Sequence, residues 1–313
     1  MSAVALQLLQ SLLVVLAAPL VLGWVNICRA WLQNRSAPSV LLPYYTLAKL
    51  FHKDAVIANT TSPLFRVTPY VLFGCMWLAA GIVPVLATDL PFAPAADIIA
   101  LVGAFATARV FGALAAMDTG TSFGGLGARR EMMIGFLAEP AMLMTLFTAA
   151  FISGSTQLTT IVETLAHREF AIYPSLAFAA VAFLMVLLAE NARIPVDNPA
   201  THLELTMVHE AMILEYSARH LALIEWAVAT KLTVYMAIGF ALFLPWGIAP
   251  AADWGALPLA LGVFAAKAAL AGAGLAFLET VLAKMRIFMV AEFLSTAFLL
   301  GVLGMLIHFL MRG

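Results

Sequence analysis

Glu190, Arg193, Asp197, His202, Glu204, His209, Glu210 and Glu215 crowd one stretch of the chain, and Pro195 and Pro199 lie among them. The run from His209 to Glu225 keeps Leu, Met, Ile and Ala between its charges, which is the texture of a protein interior rather than a solvated loop. Two prolines interrupt helix upstream, so a re-entrant or cavity-lining segment is expected. Non-helical backbone is tolerated at membrane depth only where protein or internal water surrounds it. Acids held there beside Arg193 can exchange protons near neutral pH, because desolvation and pairing both set proton affinity. Further ionisable residues fall within or at the edges of long apolar runs: Arg109, Glu139, Glu225, Lys231, Lys267, Glu279 and Glu292. Each costs about 2.5–3.5 kcal/mol at a membrane helix centre on insertion scales, so each is a candidate for proton relay or coupling. Silent ion pairing is the alternative for any one of them.

Other chemistries are poorly signalled. His202, His209 and His220 are spaced seven and eleven residues apart, which is no compact ligand motif, so they read as polar core or relay members and no metal site is expected. Cys28 and Cys75 are far apart and form no CxxC, so neither a zinc site, an iron–sulfur cluster nor a disulfide framework is indicated. Phe123-Gly-Gly-Leu-Gly127 lacks the lysine and the serine or threonine of a phosphate loop and reads as a flexible loop. No cofactor site emerges.

The elements that must position these charges are membrane helices. Hydrophobic residues make up 64% of the 313-residue chain and charged residues 11%, with mean hydropathy +1.01. A soluble domain carries roughly 25% charged residues. Apolar runs long enough to cross a bilayer recur, without the dyad alternation of a barrel. The expected fold is all-α, a polytopic integral membrane protein with about eight transmembrane helices and no soluble domain. The spans are placed at about 4–27, 68–87, 95–117, 132–153, 171–189, 221–245, 256–280 and 287–310 within a single membrane domain, 1–313. The first run follows no Lys or Arg and is expected to be retained as a span.

Of sixteen Lys and Arg residues, eleven fall in one set of loops, two in the other and three within spans. The positive-inside rule then puts both termini outside a bacterial cytoplasmic (inner) membrane. The long polar loops 28–67 and 190–220 are expected to be cytoplasmic or re-entrant. Within the first, Tyr44 to Asp54 alternates apolar and basic positions at helical spacing, as an interfacial amphipathic helix does. A net charge of −1 without a basic stripe gives no reason to expect a nucleic-acid partner.

Gly127-Ala-Arg-Arg130, with Glu139 nine residues after it, resembles the G-x-x-R and following intramembrane glutamate of the quinone-chamber membrane protein of respiratory complex I. Glu190, Arg193, Pro195, Asp197 and Pro199, then Glu204-Leu205 and Glu215-Tyr216-Ser217, resemble the E-x-x-R-x-P-F-D-x-P loop of that family and its E-L and E-Y-S elements. Two departures narrow the resemblance. Ala200 and His202 stand where that family has acids, and the gap from Glu204 to Glu215 is longer. With those departures the wording is similar to the formate hydrogenlyase subunit 4 and hydrogenase-4 component C family, the membrane subunits of energy-converting [NiFe] hydrogenases.

That resemblance implies a membrane-arm subunit that docks a hydrophilic electron-transfer arm and helps couple redox chemistry to proton or sodium translocation. It implies large, small and iron–sulfur hydrophilic hydrogenase subunits and antiporter-like membrane subunits as partners. The iron–sulfur clusters and nickel–iron centre would lie in those partners. It also implies coupling roles for Arg130, Glu139, Glu190, Arg193, Asp197, Glu204 and Glu215. The quinone-chamber protein of a complex I-type NADH dehydrogenase keeps the fold with different chemistry, and the two replaced acids count against it. A self-contained transporter is disfavoured because no pair of broken apolar segments recurs in matching halves. A passive docking anchor stays open.

Overall fold

The computed structural model describes residues 3–58, 60–88, 91–92, 97–167, 174–197, 207–249 and 255–312; the side chains of Ala3, His167 and Arg312 are left aside. His202 and Glu204 lie outside the described residues, as do Pro199 and Ala200. The described residues form helices α1 (Ala3–Leu32), α2 (Leu42–Phe51), α3 (Pro63–Ile82), α4 (Ile98–Asp118), α5 (Ser122–Ser153), α6 (Leu158–His167), α7 (Pro174–Glu190), α8 (His209–Ile213), α9 (Ala218–Phe243), α10 (Leu257–Val281) and α11 (Ile287–Arg312). Seven of these are long and apolar enough to cross a membrane: α1, α3, α4, α5, α9, α10 and α11. The 17-residue apolar helix α7 is shorter, at the lower limit for spanning about 30 Å of hydrocarbon. The protein is thus an all-α, multi-pass membrane protein, with α7 completing the expected eight.

Helix α9 is the centre. Its most apolar window is 72% buried against 28% for α10 and α11, so α9 is wrapped by protein while the last two helices present broad apolar faces outward. It packs against α1, α3 and α7, with α2 crossing it; α5, α7 and α11 form a second group that α4 joins to α3. Thr230 and Thr233 on α9 satisfy their buried hydroxyls by donating to the carbonyls of Trp226 and Ala229 one turn back, 2.9 and 3.0 Å away.

The ends of the bundle are tied by polar contacts. At one end Gln10 donates to Val83 O at 3.0 Å and accepts from the amides of Leu86 and Ala87 at 3.0 and 3.3 Å, pairing backbone that no helix satisfies. At the other end Val56 N donates to Ser217 Oγ at 2.9 Å and Ser217 Oγ to Val56 O at 2.7 Å, while Ser62 N donates to Asp118 at 2.7 Å. The amphipathic segment expected in the first polar loop forms α2, anchored to α1 by the Tyr44 hydroxyl donating to Leu16 O.

Helix boundaries depart from the sequence expectations in two informative places. Helix α3 begins at Pro63 under a Ser62 cap and ends at Ile82, so Pro69 lies inside it rather than opening a span. Helix α5 begins at Ser122, ten residues before the expected start, so Phe123 to Gly127 is helical rather than a flexible loop. Close packing explains two of the three glycines, Gly124 and Gly127, while a Cβ at Gly125 would meet nothing within 4 Å. A Cβ at Gly124 would fall 2.4 Å from Ala116 O, and one at Gly127 would fall 2.9 Å from Val208 O. The methyl-free face lets the first turns of α5 press against the end of α4 and the segment leading into α8.

Candidate functional site

Arg109 sits midway along α4, 7% exposed, where a charge requires partners. Its guanidinium meets three carboxylates from two other helices. Nη1 lies 2.5 Å from Glu139 Oε1, Nε lies 3.4 Å from Glu131 Oε1, and Nη2 pairs with Glu190. Glu131 and Glu139 lie on one face of α5, two turns apart, with Gly135 between them. Glu190 ends α7; its other oxygen lies 2.9 Å from Lys231 Nζ of α9, and Lys231 also donates to Glu190 O at 2.6 Å. One turn beyond, buried Tyr235 stacks on Phe105 with ring centroids 4.8 Å apart, and Lys231 lies 5.9 Å from its ring centre. Four helices thus converge on one ionic knot.

Among the described residues two cations face three carboxylates in this knot, so within that set one negative charge is left over when every group is ionised. That set is neutral only with one additional proton. A site of this kind can hold and release a proton by redistributing a single charge among fixed partners.

Helix α7 ends in a turn that carries the chain from this knot to a second one. Arg193 N donates to Leu188 O and Ala192 N to Ala189 O, with Ala192 in the left-handed region at φ 49. This is the pattern of a helix C-cap that glycine normally fills, and a Cβ there costs roughly 1–2 kcal/mol. Glu190 therefore serves the central knot and Arg193, three residues on, pairs at 3.1 Å with Glu279 of α10. Glu279 also faces Arg29 of α1 at 3.6 Å. Asp197, 2% exposed, takes Lys284 at 2.8 Å, and Met285 N donates to Pro195 O at 2.9 Å. These contacts hold the loop after α7 to the α10–α11 turn.

A cleft of about 680 Å³, its mouth included, opens beside the central knot. Leu72, Met76, Phe105, Met212 and Val228 give its lining apolar surface, and Arg109, Glu131, Glu190 and Lys231 give it charge. Asn191 Oδ1 and His209 Nε2 have no hydrogen-bond partner among the described residues, and both residues line this cleft. Among the described residues no group of three or more His, Cys, Asp or Glu side chains stands where it could hold a metal ion.

The structure therefore brings Glu139, Glu190 and Lys231 together in one knot, and Arg193, Asp197 and Glu279 in the adjoining one. Arg130 borders the second, donating to Met207 O at 2.7 Å. His209 lines the cleft, and Glu225 lies within electrostatic range of His209 and Glu210. Glu215 is exposed beside Tyr216, whose ring stacks on Phe65 and whose hydroxyl donates to Phe65 O at 3.0 Å; burial holds that phenol above the ordinary tyrosine range. Lys267 stands apart, its ammonium donating to Leu244 O and Trp246 O at 2.5 Å each at the end of α9. Glu131 and Tyr235 are members that sequence reasoning passed over, and Arg109, noted only as an intramembrane charge, is the hub. The four-residue steps from Glu131 through Gly135 to Glu139 were the available signal, usable once α5 is known to be continuous.

The comparisons with known proteins agree with this architecture. Residues 4–310 match the family model described as NADH dehydrogenase. The chain is 33% identical over 280 residues to formate hydrogenlyase subunit 4 of Escherichia coli, covering 90% of each, and 34% identical over 245 residues to hydrogenase-4 component C of Escherichia coli, covering 78% of this chain and 76% of the relative. In fold it is similar to a chain of the membrane-bound sulfane sulfur reductase, an archaeal respiratory membrane complex, with TM-score 0.80, 18% identity and coverage of 96% and 98%. With a full-length family match and two relatives above 30% identity over most of their length, the chain belongs to the NADH dehydrogenase family of membrane subunits, together with formate hydrogenlyase subunit 4 and hydrogenase-4 component C.

Proposed function

We propose that this chain is the membrane-arm subunit of an energy-converting, formate-hydrogenlyase-like [NiFe] hydrogenase complex in the bacterial inner membrane. It docks the hydrophilic arm on the face carrying α2, α8 and the loop after α7, and it couples electron transfer there to proton or sodium movement. Iron–sulfur clusters and the nickel–iron centre belong to the large, small and iron–sulfur partner subunits, and antiporter-like membrane subunits continue the ion path. The observation that carries the reading is the Arg109 knot: two cations and three carboxylates gathered on the buried Arg109–Glu190 pair and joined through residues 190–193 to an ion-paired loop at the end of the bundle. A change of charge at a docked redox centre alters the field on the loop, and one pKa unit in the knot corresponds to only about 1.4 kcal/mol. Docking and coupling separate experimentally. In Arg193→Ala and Asp197→Asn complexes the arm is expected to stay bound through a membrane wash and to keep dye-linked activity while membrane-coupled activity falls. Release of the arm in both variants would leave only a docking role.

The apolar lining of the cleft and the unpartnered Asn191 Oδ1 and His209 Nε2 favour one second reading, a chamber for a lipophilic quinone in a complex I-type enzyme. Solvent extraction of the purified complex, with identification of its co-purified subunits, decides between them. A nickel-binding large subunit without stoichiometric quinone supports the first reading, and a bound quinone supports the second.

A further inference from the structure

Gly135 is unlike the other close-packed glycines of the described residues, because what its missing side chain makes room for is a charge. A Cβ at 135 would lie 2.5 Å from both Cδ and Nη1 of Arg109 and 2.8 Å from its Nε, inside any permitted contact. The same guanidinium pairs with Glu131 one turn before and Glu139 one turn after on the same helix face, and with Glu190 across the gap. Gly124 and Gly127 of the same helix abut backbone carbonyls, and Gly301 abuts Met144, so those positions serve helix contact alone.

We propose that Gly135 is the positioning residue of the ionic knot: its bare backbone forms the floor of a cradle, walled by Glu131 and Glu139, that fixes the Arg109 guanidinium flat against α5 and in reach of Glu190. The inference rests on the coupling role proposed for the knot, and it adds the element that sets the knot's geometry. A methyl at 135 displaces the Arg109 guanidinium away from α5, and the cleft that Arg109 lines offers it room; that movement lengthens its contacts with the carboxylates on α5. The protein keeps its helices and its charges, but the proton-sharing geometry is lost.

The test uses the purified whole complex in wild-type, Gly135→Ala, Arg109→Lys and double-variant forms, with Gly301→Ala as a control that adds a methyl 3.0 Å from Met144 Cβ. Membrane-coupled turnover is measured against pH and divided by dye-linked activity, and melting temperature is recorded alongside. Gly135→Ala is expected to assemble, keep dye-linked activity, and lose at least about tenfold of coupled turnover with a displaced pH profile, since a misplacement of about 1 Å is enough for such losses. The double variant is expected to be no worse than Arg109→Lys alone, and Gly301→Ala to keep the wild-type profile. A wild-type profile in Gly135→Ala, or losses that multiply in the double variant, overturns the cradle. Should Gly135→Ala fail to assemble, restoration of assembly by Arg109→Lys, whose head group is slimmer, supports the proposal, and no restoration overturns it. If Arg109→Lys and Glu139→Gln themselves leave coupled turnover unchanged, the coupling role fails, and the cradle is judged from melting alone: non-additive shifts support it and additive shifts refute it.

Discussion

Replacing Arg109 with methionine keeps much of the aliphatic volume on α4 and deletes the cation among Glu131, Glu139 and Glu190. The Arg109 side chain is 3% exposed and that of Glu190 is 2% exposed, so this pair is enclosed by protein; Glu139 is 33% exposed, the least enclosed of the three carboxylates, and the magnitude is worked from the Glu190 pair alone. Removing one partner of a buried ion pair costs about 3–5 kcal/mol, because the remaining charge is left uncompensated. Lys231, 2.9 Å from Glu190, limits the loss toward the lower end of that range. At roughly 1.5–2 °C per kcal/mol for a chain longer than about 250 residues, a loss of about 3–4 kcal/mol is expected to lower the melting temperature of the protein in nanodiscs by about 5–8 °C. Removing the excess charge as well, in Arg109→Met with Glu190→Gln, is expected to recover part of the fall but not all of it, because Glu190→Gln also takes the carboxylate partner from Lys231. A shift under about 2 °C for Arg109→Met, or a double variant that melts at the sum of the two single losses, would refute the view that this pair is buried and mutually compensated.

Lys267→Met removes two donors from the carbonyls of Leu244 and Trp246 far from the knot, so it is expected to lower stability by about 1–3 kcal/mol while leaving coupled turnover unchanged, which melting and activity on one preparation check. Tyr216→Phe deletes the hydrogen bond to Phe65 O and is expected to cost about 1 kcal/mol. Because burial raises that phenol's folded pKa above the unfolded value of about 10, its contribution is complete below that value and declines only as pH rises above it; equal wild-type and Tyr216→Phe stability differences at pH 6 and pH 9 are the expected readout. Single cysteines replacing exposed Arg35 and Glu215 are expected to resist an impermeant thiol reagent added outside intact cells, while one replacing exposed Gln157 is labelled; labelling of the first two would invert the proposed orientation.

The membrane class was open to reading because 64% apolar composition admits few other outcomes, and an intramembrane charge announces itself by its cost. Glu139 and Lys231 stand out that way, from type and depth, whereas Glu190 stands out from the crowded charges after its span and from the family motif. Their meeting point does not, because the hub Arg109 is 22, 30 and 81 residues from its three carboxylates and nothing local links them. Lys267 and Glu279 both read as intramembrane charges of one span, and twelve residues of helix separate them by roughly 18 Å along α10, a difference of depth that residue type alone does not show. The glycines of α5 misled for a physical reason. Glycine in a soluble sequence marks a turn, whereas between membrane helices it marks close approach, and only the neighbouring helix tells which applies. His202 and Glu204, placed among the coupling residues from their sequence context, fall outside the described residues and remain proposals on that basis.

The most direct measurement of the central claim is ion-gradient formation by the whole complex reconstituted in sealed vesicles, comparing wild type with Glu139→Gln and Glu190→Gln. Each substitution removes one carboxylate and with it the odd negative charge of the knot. Both variants are expected to keep their partner subunits and dye-linked activity while losing at least about tenfold of the gradient-forming rate, a change of about 1.4 kcal/mol in the coupled step. An assembled Glu190→Gln complex that builds the gradient at the wild-type rate would contradict the account.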